Sequence, residues 1–100
     1  MQIDRKDIEA SLVSKGFIKE DTHHRYFHHE AEGKRTGIST HTSHGSHYKS
    51  YGDNLLKLMK KQLRMDSLGQ LVDLIECPMT GDDYKEFLKK KGLLPPESQD

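Results

Sequence analysis

A chain of 100 residues is long enough for one domain and too short for two, because so small a chain cannot bury enough surface to fill a second core. Only 32% of its residues are hydrophobic, and no apolar run approaches the roughly 18 to 20 residues that cross a bilayer, so we expect a thin core and no membrane span. Its single cysteine, Cys77, excludes an internal disulfide, and residues 1–10 lack a leader pattern, so we expect a reducing, cytoplasmic compartment.

The net charge of zero conceals an uneven distribution. Residues 1–65 contain 12 Lys and Arg against 8 Asp and Glu, whereas residues 66–100 contain 4 against 8. All seven histidines also lie in the positive part. This part would attract an anionic partner such as nucleic acid, and partial protonation of the imidazoles would strengthen the attraction. The alternative is a chance imbalance of solvated surface charges.

The first predicted element is an amphipathic helix, in which Ile3, Ile8, Leu12 and Val13 recur at helical spacing between a cap at Asp4 and a stop at Gly16. Three strands are predicted next. A short one starts at Phe17, and an aromatic-rich one spans residues 23–29. After turn formers at residues 30–34, the third spans residues 35–41 with β-favouring Thr and Ile.

Three helices are predicted after a Ser-, Gly- and His-rich loop at residues 42–52. In the first of these helices, at residues 55–63, Leu and Met residues form an apolar stripe, and the Lys and Arg residues form a basic stripe on the exposed face. Ser67 is placed to cap the second, which ends before Pro78. Thr80 and Asp83 form a capping-box pattern at the start of the third, which Gly92 closes.

These elements predict an α+β fold: α-β-β-β-α with a three-stranded antiparallel sheet packed on helices, plus two short C-terminal helices. Residues 1–65 would form the core and residues 66–94 a helical extension packed on the same domain. Residues 95–100 would be a flexible tail.

The alternation of side chains along the second predicted strand places its histidines on two different faces. Successive side chains of a strand point to opposite faces, so His24, Tyr26 and His28 share one face, and His23, Arg25, Phe27 and His29 share the other. If Phe27 packs into the core, His24 faces solvent.

The segment from His24 to His29, followed by a Gly-containing turn and a strand that ends in His41, resembles the HicA (YcfA-like) family of RNA-cleaving toxins. That family has a histidine preceded by two small residues, an aromatic three positions later and a second histidine five positions later. His24, Phe27 and His29 reproduce this spacing. The likeness covers roughly residues 5–65. Thr22 and His23 stand where the family has small residues, so either His23 or His24 is the equivalent histidine.

The resemblance implies a double-stranded-RNA-binding-domain-like fold and a metal-independent ribonuclease that cleaves mRNA as the toxin of a toxin-antitoxin pair. It also implies a HicB-like antitoxin partner. RNA is cut without a cofactor when a base removes the ribose 2′-hydroxyl proton and an acid protonates the leaving 5′-oxygen, and histidine suits both roles. We predict a catalytic role for His24, or alternatively His23. The residues predicted to bind RNA are Arg25, Lys34, Arg35, His41 and Lys49.

Three other interpretations compete with this one. His41, His44 and His47 recur every third residue and could hold zinc or nickel, but no acidic residue lies between them and a Ser-Gly-rich loop holds ligands poorly, so we predict no metal. The same fold would also suit a non-catalytic module that binds RNA or DNA. A third possibility is a structural protein that self-associates through its last two helices, at Leu71, Ile75, Phe87 and Leu88.

Overall fold

The computed structural model describes residues 2–43, 49–76 and 79–94. A two-residue strand, β1 (Ile3–Asp4), leads into helix α1 (Arg5–Ser14). Strands β2 (Phe17–Asp21), β3 (Arg25–Ala31) and β4 (Lys34–Thr42) follow, and then a second two-residue strand, β5 (Ser50–Tyr51). Helices α2 (Asp53–Gln62), α3 (Leu68–Glu76) and α4 (Gly81–Lys90) complete the order. The predicted α+β fold with its α-β-β-β-α core is confirmed.

The main sheet is an antiparallel meander in the order β2-β3-β4. Phe17 pairs with His29 and Asp21 with Arg25 across β2 and β3, and Tyr26 pairs with His41 across β3 and β4. A two-residue turn joins β3 to β4, with positive φ at both Glu32 and Gly33, which matches the strand twist in such hairpins.

Two small strands depart from the prediction. Ile3 was assigned to the apolar pattern of the first helix, and Ser50 and Tyr51 were assigned to the loop. In the structure β1 and β5 pair as a separate antiparallel ribbon, with Ile3 opposite Tyr51. Local periodicity could not reveal this pairing, because the two strands lie more than forty residues apart in the sequence.

Helix ends follow the predicted signals, with one exception. The Thr80 hydroxyl accepts from the Asp83 amide and the Asp83 carboxylate accepts from the Thr80 amide, so the capping box is present. Ser67 accepts from the Gln70 amide at the start of α3. Asp4 occupies the cap position of α1 but makes no side-chain capping hydrogen bond.

The core lies between one face of the sheet and the helices. Phe17, Phe27 and Ile38 of the sheet are buried with Ile8 and Leu12 of α1. Side chains of the last three helices fill the rest of this interior: Leu56, Met59, Leu71, Leu74, Ile75, Tyr84 and Leu88.

The prediction of self-association through the last two helices is wrong for three of its four residues. Leu71, Ile75 and Leu88 are buried in the protein's own core, so their side chains are not available to a second copy. Helix α3 packs on α1 and α2, and the Tyr84 ring of α4 contacts Phe17 of the sheet at 5.7 Å. The C-terminal helices therefore contribute to the same core as the preceding elements.

Three segments for which the sequence made predictions are not among the described residues. The loop residues His44 and His47, the pair Cys77 and Pro78, and the tail at 95–100 lie outside the described residues. In the parts that are described, no helix combines the length and the apolar character needed to cross a membrane.

Candidate functional site

Four rings meet on the face of the sheet that points away from the core. Because Tyr26 pairs with His41 and alternates with His28, these three side chains project from the same face of β3 and β4. The His41 ring lies 5.5 Å from Tyr26, and the His28 ring lies 6.0 Å from Tyr26 in a stacked arrangement. His24 joins them from the preceding turn. We call His24, Tyr26, His28 and His41 the ring cluster.

His24 lies beside the strand rather than within it. Strand β3 begins at Arg25, and His24 closes the turn at residues 22–24, where its carbonyl accepts from the Thr22 amide at 2.9 Å. The prediction of a strand-borne His24 is corrected to this extent. Its side chain is exposed, as predicted, and its ring centroid is 5.1 Å from that of His41 and 6.2 Å from that of Tyr26.

The alternative histidine, His23, stands at the exposed tip of the same turn and has no place in the ring cluster. Of the two histidines that the sequence left open, His24 is therefore the one next to a second imidazole.

His41 and His24 are electrostatically coupled. Partial burial, and then the neighbouring His24, lower the pKa of His41 below its ordinary value. A lowered pKa keeps the His41 imidazole neutral at physiological pH, so it can accept a proton.

His28 has a different environment. Its Nε2 hydrogen-bonds to Glu20 of the neighbouring strand at 2.9 Å. The ring therefore has a fixed orientation, stacked on Tyr26, and its Nε2 is engaged within the protein.

His29 belongs to the core and not to the site. It is almost completely buried, with its ring 5.0 Å from both Phe17 and Tyr84 and its Nδ1 3.1 Å from the Thr36 hydroxyl. Burial, and then the positive charge of Lys85, lower the pKa of His29 to about 4. The family resemblance rests in part on His29, and in this protein that histidine packs the sheet against α4.

The predicted RNA-binding residues are dispersed. Arg25 points to the core face of β3, where its guanidinium contacts both carboxylate oxygens of Glu9 at 3.0 and 3.1 Å. Lys34 and Arg35 are exposed, but they start β4 at the opposite end of the hairpin from His24, roughly 20 Å away at the rise of an antiparallel strand. Of the predicted set, only His41 is in contact with His24.

The backbone of Lys49 lies near the site. Its carbonyl oxygen accepts a hydrogen bond from the Arg5 amide at 2.7 Å, and Tyr51 follows two residues later in the sequence. The Lys49 side chain is exposed.

A cleft of about 140 Å³ opens beside the two facing imidazoles, between the sheet edge and helix α2. Its lining residues are His24, His41, Ser43, Tyr51, Leu55, Leu58, Met59 and Gln62.

Alternation along β3 could have suggested Tyr26 as a site residue, since it stands between two histidines of one face. The sequence held no signal for Ser43 or Gln62, because their place depends on how α2 packs against β4.

A metal centre finds no support in the described part of the chain. Residues 2–43, 49–76 and 79–94 contain no group of three or more His, Cys, Asp or Glu side chains that could hold a metal ion. His44 and His47, which the alternative requires, lie outside those ranges.

Compared with models of known protein families, with curated proteins and with solved structures, the chain gives no significant match. The function of this chain is therefore inferred from the arrangement of its side chains.

Proposed function

We propose that the protein is a metal-independent ribonuclease of the HicA-like type, in which His24 and His41 act as an acid-base pair. The observation that carries this proposal is the pair of accessible imidazole rings, 5.1 Å apart, on the face of the sheet that does not pack on the helices. Two histidines at this separation can reach two oxygens of one phosphodiester. Cleavage of RNA by its own 2′-hydroxyl requires one base and one acid, and histidine suits both roles near neutral pH.

The environments of the two rings indicate which histidine is the base and which is the acid. His41, with its lowered pKa, is the base: it takes the proton of the ribose 2′-hydroxyl, and the 2′-oxygen attacks the adjacent phosphorus. His24, the more exposed ring, is the acid: it gives a proton to the 5′-oxygen as the bond from phosphorus to that oxygen breaks. The products are a 2′,3′-cyclic phosphate and a free 5′-hydroxyl.

Fewer cationic side chains would neutralise the phosphate charge of the RNA than the sequence predicted. Arg25 is already bound to Glu9, so we do not assign it to RNA. The exposed Lys34 and Arg35 would contact the strand at a distance from the scissile bond, and Lys49 remains a candidate near Tyr51.

Cleavage of single-stranded RNA in the presence of EDTA tests the proposal. We expect wild type to cut and both His24→Ala and His41→Ala to lose activity by at least about a hundredfold, the usual contribution of a general acid or base. His23→Ala is the matched control, since it removes an exposed imidazole next to His24 in the same turn without touching the pair, and it should retain most of the activity. No cleavage by wild type, or equal cleavage by His24→Ala, would refute the assignment.

The biological role as an mRNA-cleaving toxin with a HicB-like antitoxin partner also remains a proposal, based on the family resemblance. An antitoxin would have to cover the ring cluster to inhibit the enzyme. Induced expression of wild type should arrest bacterial growth, whereas His24→Ala should not. Equal growth of both strains at matched protein levels would argue against the toxin role.

A non-catalytic RNA-binding module is the second candidate, and the stacked rings of Tyr26 and His28 favour it. They lie 6.0 Å apart at an interplanar angle of 15° on an outward face of the sheet, and aromatic rings on a sheet stack unpaired bases. If this is the whole function, RNA is bound but survives in EDTA, and Tyr26→Ala weakens binding by roughly tenfold. Intact RNA together with full binding by Tyr26→Ala would exclude this candidate.

A further inference from the structure

We propose that the cleft between β4 and α2 is a subsite for one unpaired pyrimidine base of the RNA strand. The inference rests on the proposed ribonuclease function and adds to it a substrate class: single-stranded RNA with a pyrimidine beside the bond that is cut. Three features of the cleft support this assignment: its size, its apolar wall and two polar groups.

The size of the cleft suits a single six-membered ring. A protein cavity of about 150 Å³ accepts one benzene molecule, and this cleft measures about 140 Å³. A pyrimidine is a ring of that size, whereas the two fused rings of a purine exceed it. The volume of the cleft therefore matches the single ring of uracil or cytosine more closely than the fused rings of adenine or guanine.

One wall is apolar and already exposed. Leu55, Leu58 and Met59 of α2 line it, and the Leu58 side chain is 50% exposed. The flat faces of a base are its least polar surfaces, so contact with this wall removes apolar area from water on both sides. The His24 and His41 rings lie at the other wall, which places a bound base directly beside the proposed acid-base pair.

Two polar side chains, Ser43 and Gln62, line the cleft and have unused hydrogen-bonding capacity for a base edge. Ser43 Oγ is buried without a hydrogen-bond partner, and it is the only such side-chain oxygen or nitrogen in the described ranges. A hydroxyl both donates and accepts, and leaving it unmatched is costly, so a ligand that pairs with it gains affinity. The Thr40 hydroxyl donates to Gln62 Oε1 at 2.5 Å, and this bond leaves the amide nitrogen of Gln62, a residue that lines the cleft, able to donate. A pyrimidine edge offers carbonyl oxygens for such donors.

A base can enter this cleft only when it is out of a duplex. Bases stacked within an A-form helix present their edges in the grooves and not their faces, so only an unstacked nucleotide can insert a ring. The inferred substrate is therefore a single strand or loop, in contrast to the shape-reading of duplex RNA for which this element order is otherwise used.

Binding measurements with uncleavable strands separate this inference from the nuclease proposal. Short single-stranded oligonucleotides with 2′-fluoro riboses cannot be cut by their own 2′-hydroxyl, so affinity is measured in EDTA whether or not the protein is an enzyme. Three fluorescent strands would be compared by anisotropy, all identical except at one central position that carries uracil, adenine or no base. We expect the uracil strand to bind wild type at least about fivefold more tightly than the other two, the worth of one net hydrogen bond.

The Ser43→Ala variant tests whether the cleft is the site at which the protein distinguishes the uracil strand from the other two. We expect this variant to lose the preference for uracil while its free energy of unfolding stays equal to that of wild type or rises, since the lost hydroxyl has no partner. Ser39→Ala is the matched control: Ser39 lies on β4 opposite His28, four residues before Ser43 and outside the cleft, and its replacement should leave the preference intact.

Equal affinity for the three strands, no binding of any of them, or a preference that survives Ser43→Ala would each overturn the base subsite. Those results leave the nuclease proposal standing if RNA is cleaved in EDTA. A uracil preference without cleavage supports the subsite and refutes the nuclease.

Discussion

Histidines of one short segment have opposite environments. His24 and His29 are five residues apart, yet His24 is exposed beside another imidazole, whereas His29 is buried against Phe17 and Tyr84. Strand alternation accounts for the burial of His29, because it directs the odd-numbered side chains of β3 toward the helices, whereas His24 precedes β3 and lies in the exposed turn at residues 22–24. The number of histidines in the sequence therefore overstates the number that can act on a substrate.

Burial of His29 predicts that the protein loses stability as the pH falls. The pKa of His29 is lowered to about 4, so between its unfolded value of 6.5 and that pKa the unfolded chain binds more protons than the folded one. The contribution of this residue is full above pH 6.5 and diminishes toward pH 4. Between pH 7 and pH 5 the loss should amount to about 2 kcal/mol.

Urea unfolding of wild type and His29→Gln at both pH values measures this effect. The stability difference between pH 7 and pH 5 should shrink in His29→Gln and stay unchanged in His23→Gln, which alters an exposed imidazole. If His29→Gln has the same pH dependence as wild type, His29 is not the buried neutral group described here.

Two glycines near helix starts differ in how much space surrounds them. A Cβ atom added at Gly81 would lie 2.9 Å from the Lys15 carbonyl oxygen and 3.1 Å from its carbon. Helix α4 therefore starts in close contact with the end of α1, where Lys15 itself donates to the carbonyls of Leu74 and Met79. At Gly69 of α3 the nearest atom, Ser67 Oγ, would be 3.8 Å away, an ordinary contact.

Alanine substitutions at these two positions should therefore change stability in opposite directions. Gly81→Ala should lower the free energy of unfolding by about 1 to 3 kcal/mol, because backbone atoms have to shift to make room. Gly69→Ala should raise it by about 0.5 kcal/mol, because alanine is the better helix former. Thermal or urea unfolding of both variants checks the pair, and a Gly81→Ala protein as stable as wild type would show that α4 does not dock in this way.

At the level of elements, the sequence was informative wherever the signal was local. Period-two and helical spacing predicted three strands and four helices, and capping residues marked the starts of α3 and α4. The pairing of β1 with β5 and the shift in register around His29 depend on contacts between distant segments, which no local pattern encodes. The site divides in the same way: alternation identified His24 as solvent-facing, but only the packing of α2 against β4 brought Gln62 and Leu58 beside it.

At the scale of the whole molecule, the sheet has two faces with different roles. One face packs on the helices and is stabilised by buried rings and by polar links such as Thr40 to Gln62 and Thr42 to Glu9. The other face carries the ring cluster. The excess of positive charge in residues 1–65 is only partly available to a partner, because Arg25 is bound to Glu9 on the core side. Function is therefore expected to depend on imidazoles and ring faces more than on a basic patch.

The pH dependence of RNA cleavage in EDTA tests the acid-base pair most directly. We expect a bell-shaped profile of kcat/KM for wild type, with an acidic limb below pH 6.5 because the base, His41, has a lowered pKa and must be neutral to act. His41→Ala should lose that limb along with most of its activity. Absence of cleavage at every pH, or an unchanged acidic limb in His41→Ala, would contradict the central claim.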